Sequence, residues 1–214
     1  MATILYDYWR SSAAYRVRIV LNLKHVPYVR RDISLLEGLH RAPENLARNP
    51  QGFVPTLEID GETLTQSLAI IDYLDAIHPE PPMLPQGPLA RSRALAQALV
   101  ITADIHPVDN LRILKRLESQ FGADQAAKDD WYRHWIVEGF TALEALAAMG
   151  ADDGPFLGGA APNLADACLV PQMYNARRFA IPLEAFPRLV AADAAAGAIP
   201  EIAAAHPDRA KPTS

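Results

Sequence analysis

Five prolines fall in the eleven positions from His78 to Pro88, the densest such cluster in a chain of 214 residues. Each removes a backbone donor and obstructs the preceding helical turn, so neither a helix nor a central strand passes through this stretch. The chain has a different texture on its two sides. Before the cluster, short β-rich runs alternate with helical ones. After it, nearly everything follows a helical period. The expected division is a first domain over 1–80, a linker over 81–87 and a helical domain over 88–214, which suits the length rule of about 100–200 residues per domain.

In the first part, 3–8 reads as a strand. A helical run over 13–24 puts Ala14, Val17, Val20 and Leu21 on one face. Pro27 ends it, a second strand covers 28–33, and a short helix covers 39–48. Thr56–Ile59 and Glu62–Thr65 then flank Asp60-Gly61. That pair between two alternating runs predicts a hairpin, because a type I′ turn needs positive φ at both central positions. Ser67 is expected to cap a last helix over 68–77. The order β-α-β-α-β-β-α gives a mixed sheet with helices on its faces, the thioredoxin-like arrangement.

In the second part, Pro88 suits the first position of a helix running to about 105. Pro107 opens or kinks the next segment, which reaches about 121. Asp124 is a suitable N-cap for a helix over 124–149 anchored by Trp131, Trp135, Phe140 and Leu143. Asp152-Asp153-Gly154-Pro155 breaks it. Asn163 and Asp166 have the spacing of a capping box at the start of an apolar helix carrying Cys168, Leu169 and Met173. Short alanine-rich helices are expected over 191–205.

Half of the residues are hydrophobic and 21% are charged, a globular composition. The net charge of 20 − 25 = −5 argues against a nucleic-acid partner. A single cysteine, Cys168, precludes a disulfide framework, and the six histidines form no pair at metal-ligand spacing. No apolar run approaches the roughly 18 residues of a membrane span, and the N-terminus lacks a secretory pattern, so a cytoplasmic protein with no metal is expected.

Arg10-Ser11-Ser12-Ala13-Ala14-Tyr15-Arg16-Val17-Arg18-Ile19 resembles the R-S-S-C-x-x-R-V-R-I signature of the zeta class of soluble glutathione transferases, which includes the maleylacetoacetate isomerases. The match continues through Asn49-Pro50-Gln51-Gly52-Phe53-Val54-Pro55-Thr56-Leu57, Gln66-Ser67, Asp104-Ile105-His106-Pro107, Ala165-Asp166, Val170-Pro171-Gln172 and Ala176-Arg177-Arg178-Phe179. It spans essentially the whole chain in order. One position departs: Ala13 stands where the class has its cysteine, so any thiol chemistry must come from glutathione.

The resemblance implies a thioredoxin-like domain followed by an all-α domain, glutathione as cofactor, a small acidic substrate and a homodimer. It implies a cis–trans isomerisation in which a thiolate adds to the cis double bond of a maleyl dioxo acid, the single bond rotates, and elimination gives the fumaryl product. Maleylacetoacetate is the implied substrate. Maleylpyruvate remains an alternative, as does conjugation or dehalogenation of small halogenated acids. A non-catalytic, protein-binding member of the fold is disfavoured because Arg10, Ser11 and Gln66-Ser67 are all present.

Ser11 and Ser12 lie before a helix whose N-terminus favours an anion, so one of them, Ser11 by preference, can donate to the glutathione sulfur. Taken alone, a serine in that place is more often a plain N-cap. The resemblance implies a cis Val54-Pro55 bond that exposes the Val54 backbone to an extended tripeptide, against the reading of an ordinary turn proline. Gln66 and Ser67 match the γ-glutamyl site, His40 the glycyl end, and His106 and Asn110 positions near glutathione. Ser67 is otherwise a cap, His40 a solvated residue, and His106 a cap at the Pro107 break. Arg10, Arg112 and Arg178 are the candidates for substrate carboxylates, since guanidinium offers a planar fork. Any one of these arginines taken singly reads as a surface charge.

Overall fold

The computed structural model describes residues 2–149 and 154–212. Asp152 and Asp153, half of the expected helix-breaking cluster, lie outside the described residues.

The chain forms two units, Met1–Met83 with Ala198–Ser214, and Leu84–Gly197. In the first, β1 (Ile4–Asp7) is followed by α1 (Ser12–Leu23), β2 (Val29–Asp32), a 3-10 turn at Leu39–Arg41, α2 (Pro43–Arg48), β3 (Thr56–Ile59), β4 (Glu62–Thr65) and α3 (Ser67–Ile77). The sheet order is β2-β1-β3-β4. β1 runs parallel to β2 and antiparallel to β3, and β3 pairs antiparallel with β4. This is the thioredoxin-like topology. The hairpin turn has the expected positive φ, 54° at Asp60 and 87° at Gly61. The predicted face of α1 is buried: Ala14, Val17, Val20 and Leu21 are all 0% exposed.

Buried Arg18 and half-buried Arg30 organise this unit around Asp7. Arg18 donates to both carboxylate oxygens of Asp7 at 2.8 Å, and to the carbonyls of Trp9 and Ala205. Arg30 also reaches Asp7, at 2.7 Å, and the carbonyl of Ala210. A buried ion pair is tolerated only when its remaining donors and acceptors are satisfied, as they are here by backbone carbonyls. The same bonds fasten the C-terminal segment to the sheet. Lys24, also buried, donates to Asp75 and to the carbonyls of His78 and Pro81, which ties the proline-rich stretch down.

The expected boundaries need one correction. The residues 198–214 were expected in the helical domain, but they group with the first unit. Two short helices there, Pro200–Ala204 and Pro207–Ala210, supply Ala205 and Ala210 to Arg18 and Arg30.

The second unit contains α4 (Pro88–Leu99), a π-helical turn at Val100–Ile105, α5 (His106–Val108), α6 (Leu111–Phe121), α7 (Gln125–Ala148), α8 (Leu164–Arg178) and α9 (Pro187–Gly197). In chain order, Pro200–Ala204 is α10 and Pro207–Ala210 is α11. The long helix expected to run to 105 thus widens into a π turn after Leu99. A Cβ at Gly139 on α7 would collide with the Ile105 side chain, so glycine there permits the approach of α7 to that turn. Ile101, Ile105, Ile136, Phe140, Leu143, Leu169 and Met173 form the core of this unit, all at most 1% exposed. The Asn163–Asp166 capping box forms as expected. Asp166 accepts from Asn163, Leu157 and Gly158 and so also holds the preceding loop. Burial still pushes its carboxyl up to about 6, because desolvation outweighs those donors.

Candidate functional site

Strand register brings three separate segments to one end of the sheet. Tyr6 on β1 sits opposite Thr56 on β3, and Thr56 opposite Thr65 on β4. The loop leaving β1, which carries Arg10 to Ser12, therefore emerges beside the Val54-Pro55 entry to β3 and the Gln66-Ser67 exit from β4. The Val54-Pro55 bond is cis.

Ser11 is the N-cap of α1. Its hydroxyl oxygen accepts from the Ala14 N–H at 3.3 Å, and its own N–H donates to the Tyr8 carbonyl. A hydroxyl that accepts in this way keeps a proton to donate, so capping and contact with a sulfur are compatible. Ser12 is the first residue of α1 and is buried, whereas Ser11 is half-buried.

The second helix start is built differently. Ser67 is not the cap of α3 but its first residue. The cap position is Gln66, whose side chain makes no capping bond. Gln66 holds φ 67° and ψ 116°, a conformation a side-chain-bearing residue adopts only under constraint. Its amide nitrogen donates to Gln51 at 2.6 Å. Ser67, 6% exposed, accepts from Arg16 on α1 at 3.1 Å, and Arg16 is itself 2% exposed. The leading N–H groups of α3 thus lack a capping side chain, and a buried cation lies against its first residue. Both features favour a carboxylate there.

His40 lies in the 3-10 turn, half-buried, and its carbonyl accepts from Asn45. That turn presses on Gly52, which has φ 62°. A Cβ on Gly52 would meet the His40 carbonyl at 3.0 Å, so glycine is required next to the Phe53-Val54 segment. Arg10 stacks its guanidinium on Trp9 at 5.1 Å and makes no ion pair among the described residues. Its charge is therefore available to an acidic ligand.

The remaining candidates belong to the second unit. His106 opens α5 and is not the cap of the break; the cap position is Ile105. The Asn110 side chain caps α6 by accepting from the Arg112 N–H at 3.1 Å. Arg112 is exposed on α6. Arg178, exposed at the end of α8, donates to Asn175 at 3.2 Å and lies 5.4 Å from the Phe179 ring.

Two buried charged groups escape the sequence reading. Arg16 was visible as a cation inside an apolar helical run, the signal of a paired buried charge, but its partner Ser67 is 51 residues away. Asp109, next to Asn110, is 5% exposed, and neither carboxylate oxygen has a hydrogen-bond partner among the described residues. Burial pushes its carboxyl up to about 8.

One end of the sheet thus carries a cis-proline segment, a helix start without a capping side chain and a serine at a second helix start. Residues 5–82 match the family model described as glutathione S-transferase, N-terminal domain. The chain is 50% identical over 210 residues to a maleylacetoacetate isomerase of Rhizobium meliloti, covering 98% of each. It matches the holo structure of a zeta-class bacterial maleylpyruvate isomerase with a TM-score of 0.95 at 42% identity, over 99% of both chains. A maleylacetoacetate isomerase structure from Methylobacterium extorquens with bound malonate and glutathione gives 0.93 at 38% identity, over 98% of both. With a half-identical relative aligned along nearly its whole length, the chain belongs to the zeta-class glutathione transferase and maleylacetoacetate isomerase family.

Proposed function

We propose that the protein is a glutathione-dependent cis–trans isomerase of maleyl dioxo acids, with maleylacetoacetate as its principal substrate. The observation that carries this is the convergence of Ser11, Val54-Pro55 and Gln66-Ser67 at one end of the sheet. When bound, glutathione supplies a thiolate able to add reversibly to an activated cis double bond, which permits rotation.

The chain's own groups do the rest. The Ser11 hydroxyl donates its proton toward the sulfur while its oxygen stays on the Ala14 N–H, and the N-terminus of α1 favours the anionic form. Ser12 lines the same loop. The Val54 backbone pairs with the extended tripeptide, and Pro55 sets its direction. The uncapped start of α3, with Gln66 and Ser67, takes the γ-glutamyl carboxylate, and Arg16 supplies positive charge behind it. His40 serves the glycyl end. Arg10 takes a substrate carboxylate, and we assign the same class of role to Arg112 and Arg178, with His106 and Asn110 serving glutathione.

Maleylpyruvate is the second reading, favoured by the match to the maleylpyruvate isomerase structure. We further infer a cytoplasmic homodimer. Leu89 and Leu99 on α4, 64% and 44% exposed, are apolar surface that a second copy would cover. No helix among the described residues is long and apolar enough to cross a membrane. The test is direct assay of both maleyl acids with and without glutathione. Isomerisation that requires glutathione and leaves the thiol concentration unchanged supports the proposal. Turnover without glutathione overturns it, and stoichiometric loss of thiol identifies a conjugating transferase instead.

A further inference from the structure

The C-terminal segment of the first unit ends beside the loop that carries Ser11. Arg18 donates to the Ala205 carbonyl at 3.0 Å and Arg30 to the Ala210 carbonyl at 2.6 Å, so two guanidiniums fix the backbone that leads into Lys211. His206 adds an edge-on contact with the Tyr15 ring of α1 at 6.2 Å. Lys211 then places its ammonium 5.6 Å from the centre of the Trp9 ring. The Arg10 guanidinium lies 5.1 Å from the centre of the same ring. One half-buried indole in the loop between β1 and α1 thus carries two cations, one from each end of the chain.

Neither cation is neutralised. Arg18 and Arg30 both pair with Asp7, whereas Arg10 and Lys211 form no ion pair among the described residues. Asp32, whose carboxylate lies by the Trp9 backbone N–H, pairs with neither of them. Asp208, three residues before Lys211, stands 3.7 Å from His206 instead. An aromatic face attracts a cation but does not cancel its charge. Two uncompensated positive charges on one ring, in a chain of net charge −5, make a local field that a doubly charged anion answers best.

We propose that Lys211 is a specificity-determining residue of the isomerase reaction, and that with Arg10 it forms a two-cation clamp on Trp9 for a dicarboxylate. This rests on the functional reading above, which gives Arg10 one substrate carboxylate. Arg10 grips that group with its planar fork. Lys211, a compact charge on a flexible stem, reaches the second carboxylate. Trp9 holds both cations in place, and an acid with a single carboxylate gains only one of the two contacts. The C-terminal segment is therefore part of the site and not only a strap on the sheet.

The test uses the full chain and calorimetric titration in saturating S-methylglutathione, which fills the glutathione site. Suberate is the probe, because its carboxylates end a chain of the same length as that of maleylacetoacetate. Monomethyl suberate is the control with one charge fewer. The parent should bind suberate at least about 5-fold more tightly than the ester. Lys211→Gln should weaken suberate about 5-fold and change the ester by less than about 2-fold. The same variant should raise KM for maleylacetoacetate about 5-fold with kcat within about 2-fold, the pattern of lost uniform binding. Lys211→Arg should keep the parent's preference. Equal weakening of suberate and ester by Lys211→Gln would reduce Lys211 to packing on Trp9 and overturn the proposal. A Lys211→Arg variant as weak as Lys211→Gln would overturn it too. An active parent whose Lys211→Gln variant keeps both its KM and its suberate affinity would overturn the clamp and leave the isomerase standing. A parent that prefers suberate in a Lys211-dependent way but isomerises neither maleyl acid would support the clamp and overturn the isomerase reading.

Discussion

Asp109 should make the protein less stable as pH rises, and Asp109→Asn should remove that dependence. Its side chain is 5% exposed, and both oxygens lack partners among the described residues. Burial lifts its carboxyl from 3.8 to about 8. Below pH 3.8 the group is protonated whether the chain is folded or not, and it contributes nothing. Between 3.8 and about 8 the unfolded chain releases the proton while the folded chain retains it. Stability therefore falls through that window by as much as about 1.4 kcal/mol per pH unit, and levels off above it. The ceiling at pH 7 is roughly 4 kcal/mol. Water reaching the carboxylate after a small relaxation would reduce it, so a gain of about 2 kcal/mol or more for Asp109→Asn at pH 7 agrees with the argument. Asparagine keeps the shape and cannot ionise. The assay is urea unfolding followed by fluorescence of Trp131 and Trp135, at half-unit steps from pH 5 to pH 8.5. The parent and variant should coincide near pH 5 to within about 1–2 kcal/mol and diverge steadily toward pH 8. Parallel profiles across the whole range, or a variant less stable at pH 8, would refute the reasoning.

Ser11→Ala should lower kcat by about 10-fold or more, equivalent to roughly 1.4 kcal/mol, and raise the thiol pKa of bound glutathione as read by thiolate absorbance. If neither changes, the role passes to Ser12 or to the helix start alone. Cys168, 0% exposed, should react slowly with a thiol reagent under native conditions; rapid stoichiometric labelling would contradict its placement. Arg112→Ser should reduce kcat/KM for maleylpyruvate about 10- to 150-fold more than for maleylacetoacetate, the worth of a charge-assisted hydrogen bond. Equal small losses would leave Arg112 as a surface residue. Sedimentation at micromolar concentration should give twice the 23.4 kDa chain mass, and a single-chain mass would exclude the dimer.

The sequence reading succeeded where the signal is local. The Asp60-Gly61 turn, the Asp124 cap and the Asn163–Asp166 box each follow from a few neighbouring residues, and all form as expected. It failed where the cause is distant. Nothing near Ala205 or Ala210 announces that their carbonyls will accept from Arg18 and Arg30, which lie more than 170 residues earlier. That is why the C-terminal segment was placed with the wrong unit. The π turn at Val100–Ile105 is likewise hidden: nothing in its largely β-branched residues specifies a π turn, and the close approach of α7 at Gly139 lies more than thirty positions on. Ser67 was legible as a residue at a helix start, but not as the first residue of that helix. The difference depends on the φ of Gln66, which no composition rule assigns to a glutamine.

That difference separates two tasks that the sequence presents as similar. Ser11 and Ser67 both stand at a helix start in the first unit, and both read as caps. Only Ser11 is one. At α1 the side chain occupies one leading N–H, so the helix end can favour a sulfur anion only together with the serine's remaining proton. At α3 the strained Gln66 withholds its side chain from the helix and bonds Gln51 instead. The leading N–H groups stay available, and Arg16 adds positive charge through Ser67. A carboxylate, which accepts several donors at once, suits the second start; a thiolate, softer and satisfied by fewer, suits the first. One tripeptide carries both an α-carboxylate at its γ-glutamyl end and a thiol on its central residue. Under the proposed function, the pairing of a capped and an uncapped helix start at one end of the sheet would set, together with Pro55, the direction in which that tripeptide lies along Val54.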